Sequence, residues 1–174
     1  MIGIMEITFI RLRESEYQDF CNDAKEILSI AVVETFGRPE DGSEIIPNDE
    51  ILGIVSDPEC DTYAVLADGV EVGGVVIRPD AVSRCNSAEL FYIYPERHGK
   101  GLRLQVWQAI ERLYPETKVW RLVTPYFEKR NIHFYVNKCG FRIVEFFSKA
   151  HAAPGHPPTG KSYHDEYFVF EKVM

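Results

Sequence analysis

The sequence has few means of cross-linking itself or crossing a membrane. Its four cysteines, Cys21, Cys60, Cys85 and Cys139, form no CxxC pair and keep no metal-ligand spacing, so neither a disulfide framework nor a zinc site is indicated. The same holds for His151, His156 and His164, whose spacings fit no zinc pattern, and no metal is expected. No apolar run approaches the roughly 20 residues of a membrane helix, and no basic start followed by an apolar stretch opens the chain. We therefore expect a cytoplasmic protein with no membrane partner and reduced thiols. Positive charge is also short: 19 Lys and Arg stand against 27 Asp and Glu, a net charge of -8, which argues against nucleic acid as a partner. Internal repeats are missing.

What is present suffices for one ordinary domain over residues 1–174. The chain has 174 residues, 45% hydrophobic and 26% charged, and a chain of this size buries roughly 70% of its unfolded surface without needing a metal or disulfide. Charge is distributed unevenly. From Arg97 to Lys149 there are 11 basic and 4 acidic residues, net +7, whereas the remainder has 8 against 23, net -15. The basic segment suits a polyanionic ligand, and the acidic remainder suits a cationic co-substrate.

The segment from Phe91 to Arg103 is the most informative. An apolar strand-like run breaks at Tyr94-Pro95 into His98-Gly99-Lys100-Gly101 and then into helical periodicity. Glycines let backbone approach a ligand closely, and the first N–H groups of a helix lack intrahelical partners, so this elbow suits a phosphate. It is no Walker loop, because the glycines are two apart and no Lys-Ser or Lys-Thr follows. It is no dinucleotide fingerprint either, since Leu104 stands where the third glycine belongs.

Period and punctuation predict the remaining elements. Ile7 to Leu12 alternates as a strand, and Glu16 to Phe36 has helical spacing, with Ser15 as its expected cap and Gly37 as its stop. A short helix is expected over Asp49 to Val55. Tyr63 to Ala67 and Val72 to Ile77 flank Asp68-Gly69, a tight-hairpin signal. Ala88 to Tyr94 reads as the strand feeding the elbow, and Leu102, Val106, Ile110 and Leu113 mark one helical face that ends before Pro115. Val119 to Thr124, Phe141 to Phe147 and Tyr167 to Val173 read as strands, with a short helix from Lys129 to Cys139 and a Pro-, Gly- and His-rich loop from Lys149 to Asp165. The predicted class is mixed α/β of the α+β kind, with a single mixed sheet flanked by helices.

Two segments of the chain resemble the GNAT superfamily of N-acyltransferases. His98-Gly99-Lys100-Gly101-Leu102-Arg103 is similar to its acyl-CoA-binding motif, Arg or Gln, two free positions, Gly, one free position, then Gly or Ala; in that register His98 and Arg103 depart from the pattern. Asn131 to Phe141 resembles its second signature, an Asn followed by a helix that carries Tyr and ends in Lys-x-Gly-Phe. The resemblance implies a mostly antiparallel, twisted sheet of about six to seven strands. It implies direct transfer of an acetyl group from acetyl-CoA to a primary amine of a small molecule, with no metal; a homodimer is the assembly expected if the chain self-associates. A non-catalytic acyl-CoA sensor and a protein or peptide N-acetyltransferase are the alternatives.

The resemblance also nominates residues. The pyrophosphate would lie on the main-chain N–H groups of Gly99, Lys100, Gly101, Leu102 and Arg103, beside His98, with Asn131 on the pantetheine arm. Main-chain groups near Ile93 and Tyr94 would polarise the acyl carbonyl. Glu89 would accept the amine proton, and Tyr135 would act as the acid on sulfur. The family's commonest spacing, however, puts its Tyr where Val136 stands, and one residue turns a helix by about 100°. Tyr135 then reaches the thioester only if the helix carries a bulge.

Overall fold

The structure is a computed structural model, and it describes residues 3–174. Seven strands form one sheet in the order β1-β2-β3-β4-β5-β7-β6: β1 (Ile7–Arg11), β2 (Asp61–Ala67), β3 (Val70–Arg78), β4 (Cys85–Ile93), β5 (Val119–Pro125), β6 (Arg142–Phe147) and β7 (Tyr167–Val173). All neighbours are antiparallel except β4 and β5. Asp68 and Gly69 make the β2–β3 turn at φ 50° and 78°, the left-handed region that the Asp-Gly pair tolerates and a two-residue hairpin requires.

Helices cover both faces. α1 (Tyr17–Phe36) and α2 (Asn48–Val55) pack with Val76 and Tyr92 in one apolar cluster. α3 (Leu102–Leu113) buries Val106, Trp107 and Ile110 against Val75, Phe91 and Trp120 in the other. Ser15 does not cap α1. It lies in a 3-10 turn, Glu14–Glu16, whose ends are tied by Arg13 and Glu16, while Gly37 closes α1 at φ 78° as its lack of Cβ allows. After the short helix α4 (Lys129–His133), a second one, α5 (Ser162–Asp165), interrupts the loop expected to be irregular. Cys21, Cys60 and Cys139 are buried and unbridged; burial pushes the Cys60 thiol up to about 11 and the Cys139 thiol up to about 12, so neither is a ready nucleophile.

Two irregularities shape the centre of the sheet. β4 pairs with β5 only at Cys85 to Ser87, opposite Val119 to Arg121, and beyond that point the two strands part. On its other edge β4 has a bulge, because Val76 faces Leu90 and Ile77 faces Ala88, leaving Glu89 without a partner on β3.

Candidate active site

The gap between β4 and β5 exposes one edge of β4. Tyr94 donates its N–H to Val72 O at 2.8 Å, and groups along an antiparallel strand alternate sides, so Tyr92 and Leu90 face β3 while Ile93 and Phe91 face the gap. His98 gives independent support: its Nε2 lies 3.0 Å from the Ile93 carbonyl oxygen. A carbonyl only accepts, so Nε2 carries the proton in that contact. Tyr94 is committed elsewhere, because its hydroxyl lies between the carboxylates of Asp23 (2.7 Å) and Glu71 (2.9 Å), which share its single proton. It anchors the end of β4 to α1 and β3, and its N–H is not available at the gap.

At the end of β4 the chain turns sharply into α3. Gly99, Lys100 and Gly101 take φ 111°, 51° and 70° in succession, and Leu102 N–H closes the turn on Gly99 O at 3.1 Å. No hydrogen bond among the described residues occupies the N–H groups of Gly99, Lys100, Gly101, Arg103 or Leu104. Consecutive unoccupied backbone donors, placed at the start of a 12-residue helix, are chemically suited to an anion, with the helix dipole behind them. The motif pattern falls on this turn when read from Glu96: Gly99 and Gly101 then occupy its two glycine positions, and only Glu96 departs. Arg103 lies beyond the pattern, inside α3.

Arg103 turns away from the elbow. Its guanidinium carbon sits 4.1 Å from the centroid of the Phe134 ring and 5.6 Å from that of Phe91, and its Nη2 donates to Asn131 Oδ1 at 2.8 Å. The side chain thus makes a cation–π stack and a bridge from α3 to α4. Asn131 is not the N-cap of α4, because Glu128 holds that position.

Beyond α4 the backbone widens into a π turn, Phe134–Lys138, with Cys139 N–H donating to Phe134 O at 3.0 Å. The bulge needed to redirect Tyr135 is thus present, yet it sends the ring inward. Tyr135 packs edge-on against Trp107, Phe134 and Phe141, and burial pushes its phenol pKa up, with Arg103 pulling it back. Glu89 is also drawn off. Its carboxylate accepts from Ser87 Oγ and faces Arg78, which also binds Asp57 and Glu59. Neither side chain lines the cavity beside the β4–β5 gap.

That cavity, about 490 Å³, opens between the parted strands and the inner face of α1 and α2. One wall holds Phe91, Ile93, His98, Arg103 and Asn131; the opposite wall is apolar, with Ile27, Ala31, Ile46, Ile51 and Ile54. Tyr163 and His164 of α5 line one side, so part of the 149–165 segment borders the cavity. Glu34, Glu50 and Glu128 are its carboxylates. Sequence reasoning nominated none of them, because only folding brings the β5–α4 loop beside α1.

A family model described as the Acetyltransferase (GNAT) family matches residues 17–141. The chain belongs to this family. It is 44% identical over 169 residues to the uncharacterized protein YrkN of Bacillus subtilis (strain 168), covering 93% of this chain and 90% of that protein. Among solved structures, an acetyltransferase from Thermus thermophilus superposes with a TM-score of 0.67 at 12% identity, over 98% of this chain and 99% of that one. The spermidine N-acetyltransferase of Vibrio cholerae, in complex with CoA and spermine, superposes with a TM-score of 0.64 at 14% identity, over 96% and 95% of the two chains. At such identities the structural likeness shows the GNAT fold, and the seven-stranded, mostly antiparallel sheet agrees with it.

Proposed function

We propose that the protein is an acyl-CoA-dependent N-acetyltransferase that moves an acetyl group from acetyl-CoA directly to the primary amine of a small molecule, with both substrates bound together. The observation that carries this reading is the elbow at Gly99 to Gly101, whose N–H groups are free and which lies between His98 and Arg103, both lining the cavity beside the β4–β5 gap. There the N–H groups of Gly99, Lys100, Gly101, Arg103 and Leu104 hold the pyrophosphate, and the gap-facing edge of Phe91 and Ile93 takes the pantetheine arm and polarises the acyl carbonyl. Asn131 contributes its amide N–H groups from the same wall, since its oxygen is held by Arg103. The thioester supplies an activated acyl group with a good leaving group.

The acceptor enters between α1, α2 and α5. Its wall of isoleucines favours an amine with an apolar body, and the three carboxylates favour the ammonium form on arrival. An assay of thiol release from acetyl-CoA, with product mass measured, tests this on 2-phenylethylamine, spermidine and a peptide with a free N-terminus. Acetylation of a free amine is the expected result; activity on the peptide alone would move the assignment to protein acetylation. A second reading, a non-catalytic acyl-CoA-binding module, is favoured by one observation: both side chains nominated for proton transfer, Tyr135 and Glu89, point away from the cavity. CoA binding without turnover on any acceptor would establish that reading.

A further inference from the structure

We propose that Glu128 is the group that accepts the proton of the incoming ammonium, an inference that rests on the transferase reading above. Glu128 occupies the turn between β5 and α4 and lines the cavity together with Ile93, Asn131 and the apolar wall of α1 and α2. It therefore shares one cavity with the residues assigned to the acyl donor and with the wall assigned to the acceptor. The other candidate carboxylates are less suited. Glu89 is tied to Ser87 and Arg78 away from the cavity; Glu34 faces Arg130 at 3.7 Å, and Glu50 lies exposed. The Glu128 carboxylate has no hydrogen-bond or ion-pair partner among the described residues, although it is only partly exposed.

Its charged surroundings come from three elements: Arg103 on α3, Arg130 on α4 and Glu34 on α1. Burial, the largest influence, pushes its pKa up, the two arginines pull it down, and Glu34 pushes it up again. A raised carboxylate pKa makes a stronger base.

The step balances without a further reactant. One N–H bond of the ammonium breaks and its proton forms an O–H bond on Glu128. The freed nitrogen lone pair forms the C–N bond with the thioester carbonyl carbon, and the C–S bond breaks with its electron pair going to sulfur. The thiolate takes the second nitrogen proton, and Glu128 returns its own proton to water.

Three measurements on the full chain test the assignment: CoA affinity by calorimetry, kcat/KM against pH for the acceptor the parent uses best, and the Glu128 carboxyl titration followed by 13C NMR with CoA present. Glu128→Gln is expected to lower kcat/KM at neutral pH by about 10²- to 10⁴-fold. The deficit should shrink about tenfold per pH unit as solvent supplies free amine, CoA affinity should stay within about twofold, and Glu128→Asp should restore part of the rate. The carboxyl of Glu128 should titrate above the ordinary glutamate value near 4.3. A parent that neither binds CoA nor releases thiol overturns the transferase reading and this proposal with it. An active parent matched by Glu128→Gln at every pH, or an ordinary titration, overturns this proposal alone.

Discussion

Replacing Gly99 by alanine should weaken CoA binding without unfolding the protein. Gly99 sits at φ +111°, and no heavy atom lies within 4 Å of the position its Cβ would take. The substitution therefore meets no clash, and its cost is conformational: an L-residue held in such a region pays about 1–3 kcal/mol. Because the elbow is exposed, the unliganded chain can relax toward negative φ and avoid that cost. Binding the pyrophosphate requires the N–H groups to converge again, so the strain returns when CoA binds. A penalty of about 1–3 kcal/mol corresponds to a roughly 5- to 150-fold rise in Kd. The melting temperature should move by less than about 3 °C. Calorimetric titration with CoA and thermal unfolding measure the two quantities. Gly155→Ala is the matched control, since Gly155 lies at φ +77° with equally open surroundings and lines neither the elbow nor the cavity. The reasoning is refuted if Gly99→Ala binds CoA within about twofold of the parent, or if Gly155→Ala weakens CoA binding equally.

Tyr135→Phe is expected to keep turnover within about threefold, short of the 10²-fold loss typical of a missing general acid, whereas Tyr135→Ala should cost about 3–5 kcal/mol in urea unfolding because the ring fills the aromatic core. A large rate loss in Tyr135→Phe with intact CoA binding would return the hydroxyl to the chemistry. Gly73→Ala would set its Cβ against the Tyr92 carbonyl oxygen, so β3 and β4 must part; Gly74→Ala meets the rings of Phe20 and Tyr92, which are side chains rather than backbone. Gly73→Ala should therefore destabilise by about 1–3 kcal/mol or more and more than Gly74→Ala; equal denaturation midpoints would contradict this. The Arg78 guanidinium holds the Asp57 carboxyl below its ordinary 3.8. A depressed carboxylate pKa adds stability above the unfolded value that fades as pH falls through the folded one. The deficit of Arg78→Ala should thus be full at neutral pH and shrink below about pH 3.8, as followed by urea unfolding at several pH values. Glu128→Gln has the opposite sign: with the carboxyl pKa raised by burial, the variant should be at least as stable as the parent at neutral pH and converge with it below about pH 4.3.

The elements visible in the sequence are those fixed by near neighbours. Asp68-Gly69 announced its hairpin because two adjacent residues tolerate positive φ, and Leu102, Val106 and Ile110 announced α3 because one turn repeats every 3.6 residues. Strand ends were less visible. β4 begins at Cys85 rather than Ala88, since its first residues are held by β5, some thirty residues further along. The helix expected over Lys129 to Cys139 divides into α4 and a π turn, a local widening that periodicity does not register.

By itself the sequence determined the elbow and the family: glycines two apart after an apolar strand, and an Asn-to-Phe segment at the matching distance, are local patterns whose backbone consequences travel with them. Tertiary structure alone decided which side chains face the cavity. Arg103 turned to Phe134, Glu89 went to Arg78, Tyr135 went to the core, and Glu128 came to the wall. A side chain's direction is set by what packs around it from other elements, and sequence spacing within one element does not contain that information.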